Sequence, residues 1–191
     1  MTVHIAKAVT LPDNLQGLTN LADARNGASI VSCSDEFFAS AERMLQPEPA
    51  KFIEGKFDDH GKWMDGWETR RKREAGYDWC IVRLGVTGKV SGFDLDTSFF
   101  TGNYPASASI EGCYAPDDQL ENITWIPLLE NSVLSPDHHH FFSCEAHKIT
   151  HIRLNIFPDG GVARLRVYGN VLLENIDSTQ QIDLIGLKNG G

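Results

Sequence analysis

Apolar and polar residues alternate most clearly between His151 and Phe157, where Ile152, Leu154 and Ile156 interleave with Arg153 and Asn155. A period of two marks a strand with one face in a core. Pro158, Asp159, Gly160 and Gly161 follow with turn chemistry, the proline presetting one φ and the glycines accepting positive φ. Ala163, Leu165 and Val167 then alternate with Arg164 and Arg166, so residues 151–168 predict a β-hairpin with one apolar and one cationic face. Residues 79–84 are apolar on both faces, as expected of a buried central strand, and 90–97 set Phe93 and Leu95 against Asp94 and Asp96. Weaker strand patterns occupy 123–129 and 172–176, and only 18–25 and 37–45 look helical. Many short strands separated by Gly, Pro, Asn and Asp predict an all-β fold, a β-sandwich or jelly roll with one or two short helices.

Composition narrows the function classes. The 191 residues carry 17 Lys+Arg against 26 Asp+Glu, a net charge of −9. An acidic chain is poorly suited to binding nucleic acid, which depends on neutralising phosphates. No apolar run approaches the ~18 residues of a membrane span, and the N-terminus lacks a basic stretch followed by an apolar one. Cys33, Cys80, Cys113 and Cys144 lie far apart with no metal-binding spacing, so reduced thiols and a cytoplasmic location are expected. The same seven-residue pattern, L-x-x-x-[RK]-N-G, occurs at Leu21–Gly27 and Leu184–Gly190, hinting at a repeat that begins again near the end of the chain.

Several segments could carry chemistry. Residues 62–73 pack Trp63, Trp67, Asp65, Glu68 and five basic side chains into twelve positions. Arginine forks there can bind a small carboxylate through paired hydrogen bonds, or the segment can be a charged loop anchored by a core tryptophan. Arg153 and Asn155 share one strand face, as do Arg164 and Arg166, and the hairpin reading puts both sets on the same side. Asp94 and Asp96 are either an acid/base pair or partners for those arginines. His138, His139 and His140 suggest a metal by type, yet consecutive side chains on an extended segment point apart, so a surface loop is expected. Nucleophile-elbow, phosphate-loop, dinucleotide and zincin motifs are all absent.

The blocks at residues 61–73, 77–82, 94–105 and 151–169, with Ser34–Phe38 before them, resemble those of the allantoicase family, in that family's order. The resemblance implies a jelly-roll β-sandwich similar to galactose-binding-like domains. It also implies a hydrolase that converts allantoate to ureidoglycolate and urea in purine catabolism. Family members usually carry two tandem repeats. On that basis residues 1–17 are expected to be an N-terminal extension, 18–176 one repeat, and 177–191 a linker and the start of a second, absent repeat. Self-association, or association with a second repeat, is expected; the alternative is a non-catalytic half that needs one. Allantoate carries a carboxylate and two ureido groups on one carbon, so Arg70, Arg71, Arg153, Arg164 and Arg166 are candidate carboxylate binders. Asn103 and Asn155 are candidate ureido partners, Glu68, Asp94 and Asp96 candidate acid/base groups, and Trp67 a pocket wall. No cofactor is expected and no residue is assigned as a metal ligand; metal dependence stays open, since no ligand set has convincing spacing.

Overall fold

The computed structural model describes residues 1–172. The linker expected at 177–191, the Leu184–Gly190 echo and nearly all of the strand expected at 172–176 lie outside the described residues. The strands in chain order are β1 (Val3–Ile5), β2 (Thr19–Asn20), β3 (Ser29–Cys33), β4 (Lys51–Ile53), β5 (Phe57–Asp58), β6 (Gly61–Lys62) and β7 (Trp67–Glu68). They continue as β8 (Asp78–Asp96), β9 (Ser107–Cys113), β10 (Ile126–Val133), β11 (His139–Phe157), β12 (Gly161–Val162) and β13 (Arg164–Val171).

The architecture is an all-β sandwich organised by two long strands. The segments expected at 79–84 and 90–97 are the two halves of the single 19-residue strand β8, and β11 is equally long. The two pair antiparallel along their length, with register shifts between Ser143 and His147 and between Ile149 and His151. Beyond those irregularities, the first half of β8 pairs with β3 and the second half of β11 with β9, which in turn pairs with β10. The second half of β8 pairs with β13, and β13 with β2. Each long strand therefore serves both layers. One core cluster draws Val82, Ile152, Leu154 and Ile110 from the first layer and Phe93, Leu95, Leu165 and Val167 from the second.

Five local expectations change. The 151–168 segment is not a hairpin, because β8 stands between β11 and β13 and takes the hydrogen bonds that a hairpin would exchange. The faces of Arg153/Asn155 and Arg164/Arg166 consequently belong to different layers. Residues 79–84 alternate strictly in burial instead of being buried on both faces, with Trp79 and Ile81 half-exposed. The stretch at 18–25 forms β2 and a single 3₁₀ turn at Ala24–Asn26 instead of a helix. Its Leu21 N–H bonds to Val167 O at 2.7 Å and Leu21 O accepts from Gly85 N–H, so tertiary pairing captures the backbone a helix would have used. Residues 37–45 contribute only the 3₁₀ helix Ala41–Leu45, and the strand expected at 123–129 begins at Ile126. No helix among the described residues is long and apolar enough to cross a membrane.

Candidate active site

The segment leading into β7 and the loops that follow β8 and β12 meet at one end of the sandwich, on a small second core of Ala50, Met64, Phe100 and Ala163. Trp67, on β7, is fully buried, and its indole N–H donates to Asp35 O at 2.8 Å, so it is a core anchor and lines no recess. Alternation along the strand turns the next side chain, Glu68, the other way. Glu68 is fixed by its register opposite Gly161 and by paired backbone bonds with Ala39 at 3.1 and 3.2 Å. Asn103 is brought up by its carbonyl, which accepts from Gly161 N–H at 2.7 Å. That approach requires glycine next door: Gly160 has φ +140°, and a Cβ there would lie 2.6 Å from Pro105 N.

In the resulting recess of about 310 Å³, Asn103 Nδ2 donates to Glu68 Oε1 at 2.7 Å. Burial pushes the Glu68 carboxyl above the ordinary carboxylate range, against the lowering influence of that hydrogen bond and with some help from Asp58. His60, Lys62 and Thr101 supply further polar groups, and Phe38 and Met64 an apolar wall. Lys62 falls in the charged 62–73 segment, where the sequence gives it no separate role, and nothing there singles out His60. Their shared location arises from the β5–β6 pairing, in which Phe57 faces Lys62, and nothing in the local pattern signals it.

Phe38 also lines an adjoining, wider depression of about 840 Å³ bordered by Arg70 and Arg71. Arg70 is committed to Asp35, with Nε and Nη2 3.0 and 2.7 Å from Oδ1, and it lies over the Phe37 ring. Lys72 is committed to Asp78 at 2.7 Å. Arg71 makes no ion pair with the described residues, so its guanidinium is free for a ligand.

The remaining candidates lie elsewhere. Arg164 is buried and donates all five of its N–H groups internally: to the carbonyls of Glu48, Pro49, Asp65 and Ala163 and to Asp65 Oδ2 at 2.7 Å. Arg166 bonds to the carbonyls of Gln46, Pro47 and Glu48. Both hold the 46–50 loop against the second layer. Arg153 pairs with Glu111 Oε2 at 2.6 Å and lies over Trp125, while Asn155 Nδ2 donates to Ser109 and Glu111 on the outside of the first layer. Asp94 and Asp96 share the outer face of the second layer with His139, whose Nδ1 is 2.8 Å from Asp94 Oδ2. The histidine triplet was expected in a surface loop; two of its members instead begin β11, with His139 opposite Asp96. Burial raises the Asp94 pKa despite His139. Burial also pulls His139 down, but Asp94 and Asp96 outweigh it and the net shift is upward.

All four cysteines are free, and burial pushes Cys33, Cys113 and Cys144 up to about 11, away from the nucleophilic range. Among the described residues no three His, Cys, Asp or Glu side chains are grouped to hold a metal.

A family model described as the allantoicase repeat matches residues 19–172. Proteins named probable allantoicase are 64% identical over the whole chain in Acinetobacter baylyi, where the match covers 58% of the relative, and 50% identical over 94% of the chain in Burkholderia mallei, covering 55%. The chain thus spans about half the length of the curated relatives it matches. The crystal structure of the Saccharomyces cerevisiae allantoicase superposes with a TM-score of 0.71 at 34% identity, over 84% of this chain and 51% of that one. A family 32 carbohydrate-binding module from Clostridium perfringens superposes over 84% of this chain and all of its own, at TM-score 0.57 and 11% identity. That likeness shows the fold alone, a galactose-binding-like β-sandwich.

Proposed function

The chain belongs to the allantoicase family, and on that footing we propose that it hydrolyses allantoate to ureidoglycolate and urea with Glu68 as the proton-transfer group. The observation that carries the proposal is a half-buried carboxyl with a raised pKa, held by Asn103 beside Lys62 and His60. Asn103 occupies Glu68 Oε1, which leaves Oε2 to carry the proton. Lys62, and Arg71 across Phe38, are the cations that would receive the substrate carboxylate. The C–N bond to one ureido group breaks as Glu68 donates its proton to the departing nitrogen, and the other ureido nitrogen's lone pair supports the positive charge left on carbon. Water then adds to that carbon, and its proton restores Glu68, so that water and allantoate leave as ureidoglycolate and urea. Of the residues singled out in the sequence, Glu68, Asn103, Arg70 and Arg71 line these two recesses; Trp67, Arg153, Asn155, Arg164 and Arg166 serve the scaffold, and Asp94 and Asp96 lie on the outer face of the second layer.

The setting we propose is allantoin breakdown in the cytoplasm, with a small molecule as the partner and neither nucleic acid nor membrane. Urea release from allantoate, followed for the chain and for Glu68→Gln, tests the assignment. A general acid–base group contributes about 10²–10⁴-fold, and a variant that retains the parent kcat/KM removes Glu68 from the mechanism. The half-length match favours a second reading in which this unit works only with a second repeat, its own or another copy's. Urea release by the A. baylyi relative but not by the present chain alone would select it.

A further inference from the structure

A second recess, of about 200 Å³, lies on the outer face of the second layer beneath the N-terminal segment, and shares no lining residue with the Glu68 recess. Val9, Leu11, Pro47 and Pro49 give it apolar walls, and Asp94, Asp96, His139 and Tyr168 a polar floor. The floor has unspent hydrogen-bonding capacity. Asp94 is 3% exposed; its Oδ2 accepts from His139, but its Oδ1 has no partner. Asp96 Oδ1 accepts from Ser98 N–H at 2.7 Å, whereas its Oδ2 has only His139 Nε2 at 3.7 Å. The Tyr168 hydroxyl makes no hydrogen bond among the described residues. Buried polar groups are normally satisfied, and an orphaned carboxylate oxygen is among the costliest exceptions. Arg166 does not meet this demand, since its terminal nitrogens go to the carbonyls of Gln46, Pro47 and Glu48 and hold the wall in place.

We infer that this recess is a second small-molecule site, built for a neutral, planar ureido group. Two carboxylate oxygens accept from the paired N–H groups of R–NH–CO–NH₂, and the Tyr168 O–H donates to its carbonyl. Lys7 and Arg166 also line the recess and offset the two aspartates, so it carries no excess charge for a ligand to neutralise, which suits a neutral group. A guanidinium group supplies the N–H donors but offers no acceptor to Tyr168. The site stands independently of turnover at Glu68, because none of its groups belongs to that recess.

The test is a titration of the isotopically labelled chain with N-methylurea, followed by amide chemical shifts, with methylguanidine in parallel. Saturable shifts at 6–11 and around His139 and Tyr168, with N-methylurea the tighter ligand, are expected. Tyr168→Phe, which keeps the buried ring, should weaken N-methylurea about tenfold, the usual effect of losing one hydrogen bond. Glu68→Gln should leave binding intact, so failure of the hydrolytic proposal and failure of this one are distinguishable. No saturable shifts, tighter binding of methylguanidine, unchanged binding in a folded Tyr168→Phe chain, or loss of binding in Glu68→Gln would each overturn the inference. Should Tyr168→Phe not fold, the ligand preference of the parent chain decides.

Discussion

Arg164 offers the sharpest way to separate a scaffold arginine from a ligand-binding one. Replacing it with Met retains a long apolar side chain and removes five internal donors from a site 2% exposed. Asp65 would keep one hydrogen bond, from Lys51 N–H at 2.9 Å, but would lose its ion partner at 2.7 Å. The carbonyls of Pro49, Asp65 and Ala163 would lose this donor as well, and that of Glu48 would keep only Arg166. Removing one member of a buried ion pair costs about 3–5 kcal/mol, mainly because the other charge is left uncompensated. In a domain of this size each kcal/mol moves Tm by about 2–4 °C, so Arg164→Met should melt about 12 °C lower. Guanidinium chloride unfolding should show a lower midpoint with an unchanged slope. Removing both charges together, as Arg164→Met with Asp65→Leu, should restore a large part of the loss, giving a positive coupling in the double-mutant cycle. An Arg164→Met chain with parent stability that no longer turns over allantoate would refute this reasoning and return Arg164 to the substrate.

Other outcomes follow from the same structure. If Glu68 acts as the proton donor, kcat/KM should fall as the pH rises through its raised pKa, and Asn103→Ala, which removes the counteracting hydrogen bond, should move that limb to higher pH. Arg71→Ala should raise KM for allantoate and leave Tm unchanged, since its guanidinium supports no described contact. In NMR titrations, His139 should keep its proton above the ordinary 6.5, whereas burial holds His140 and His151 below it. For His139 the raised folded value means stability present in full below 6.5 and lost as the pH rises through the folded pKa, so His139→Gln should cost more at pH 5 than at pH 9. Gly66→Ala should destabilise by about 1–3 kcal/mol or more, because its Cβ would meet the Val162 carbonyl and lie 2.6 Å from Ala163 Cα, prying β7 from β12.

The two inner faces of the sandwich were legible locally. Ile152, Leu154 and Ile156, like Leu165 and Val167, are fully buried where alternation placed them, because the pleat forces every second side chain to one side. The break after Phe157 was legible too, although Gly161 belongs to β12 and not to the turn; which strands the break joined was not. A two-residue period states that a strand has an inner face; it is silent about which neighbour completes the ladder. Here β8 occupies the place that a hairpin partner would have taken.

The site divides along the same line. Their blocks marked the family, and residue chemistry, read against the substrate which that resemblance implies, marked Glu68, Asn103 and the arginines as groups worth having near a carboxylated ureide. Tertiary structure then sorted the arginines by what they already hold: five internal acceptors for Arg164, three carbonyls for Arg166, Glu111 for Arg153 and Asp35 for Arg70, with Arg71 left open. It also joined Glu68 to Asn103 across 35 positions and His139 to Asp94 across 45. A side chain's type sets which hydrogen bonds and charges it can offer. Whether they remain available depends on neighbours that arrive from distant segments, and only the folded chain brings those together.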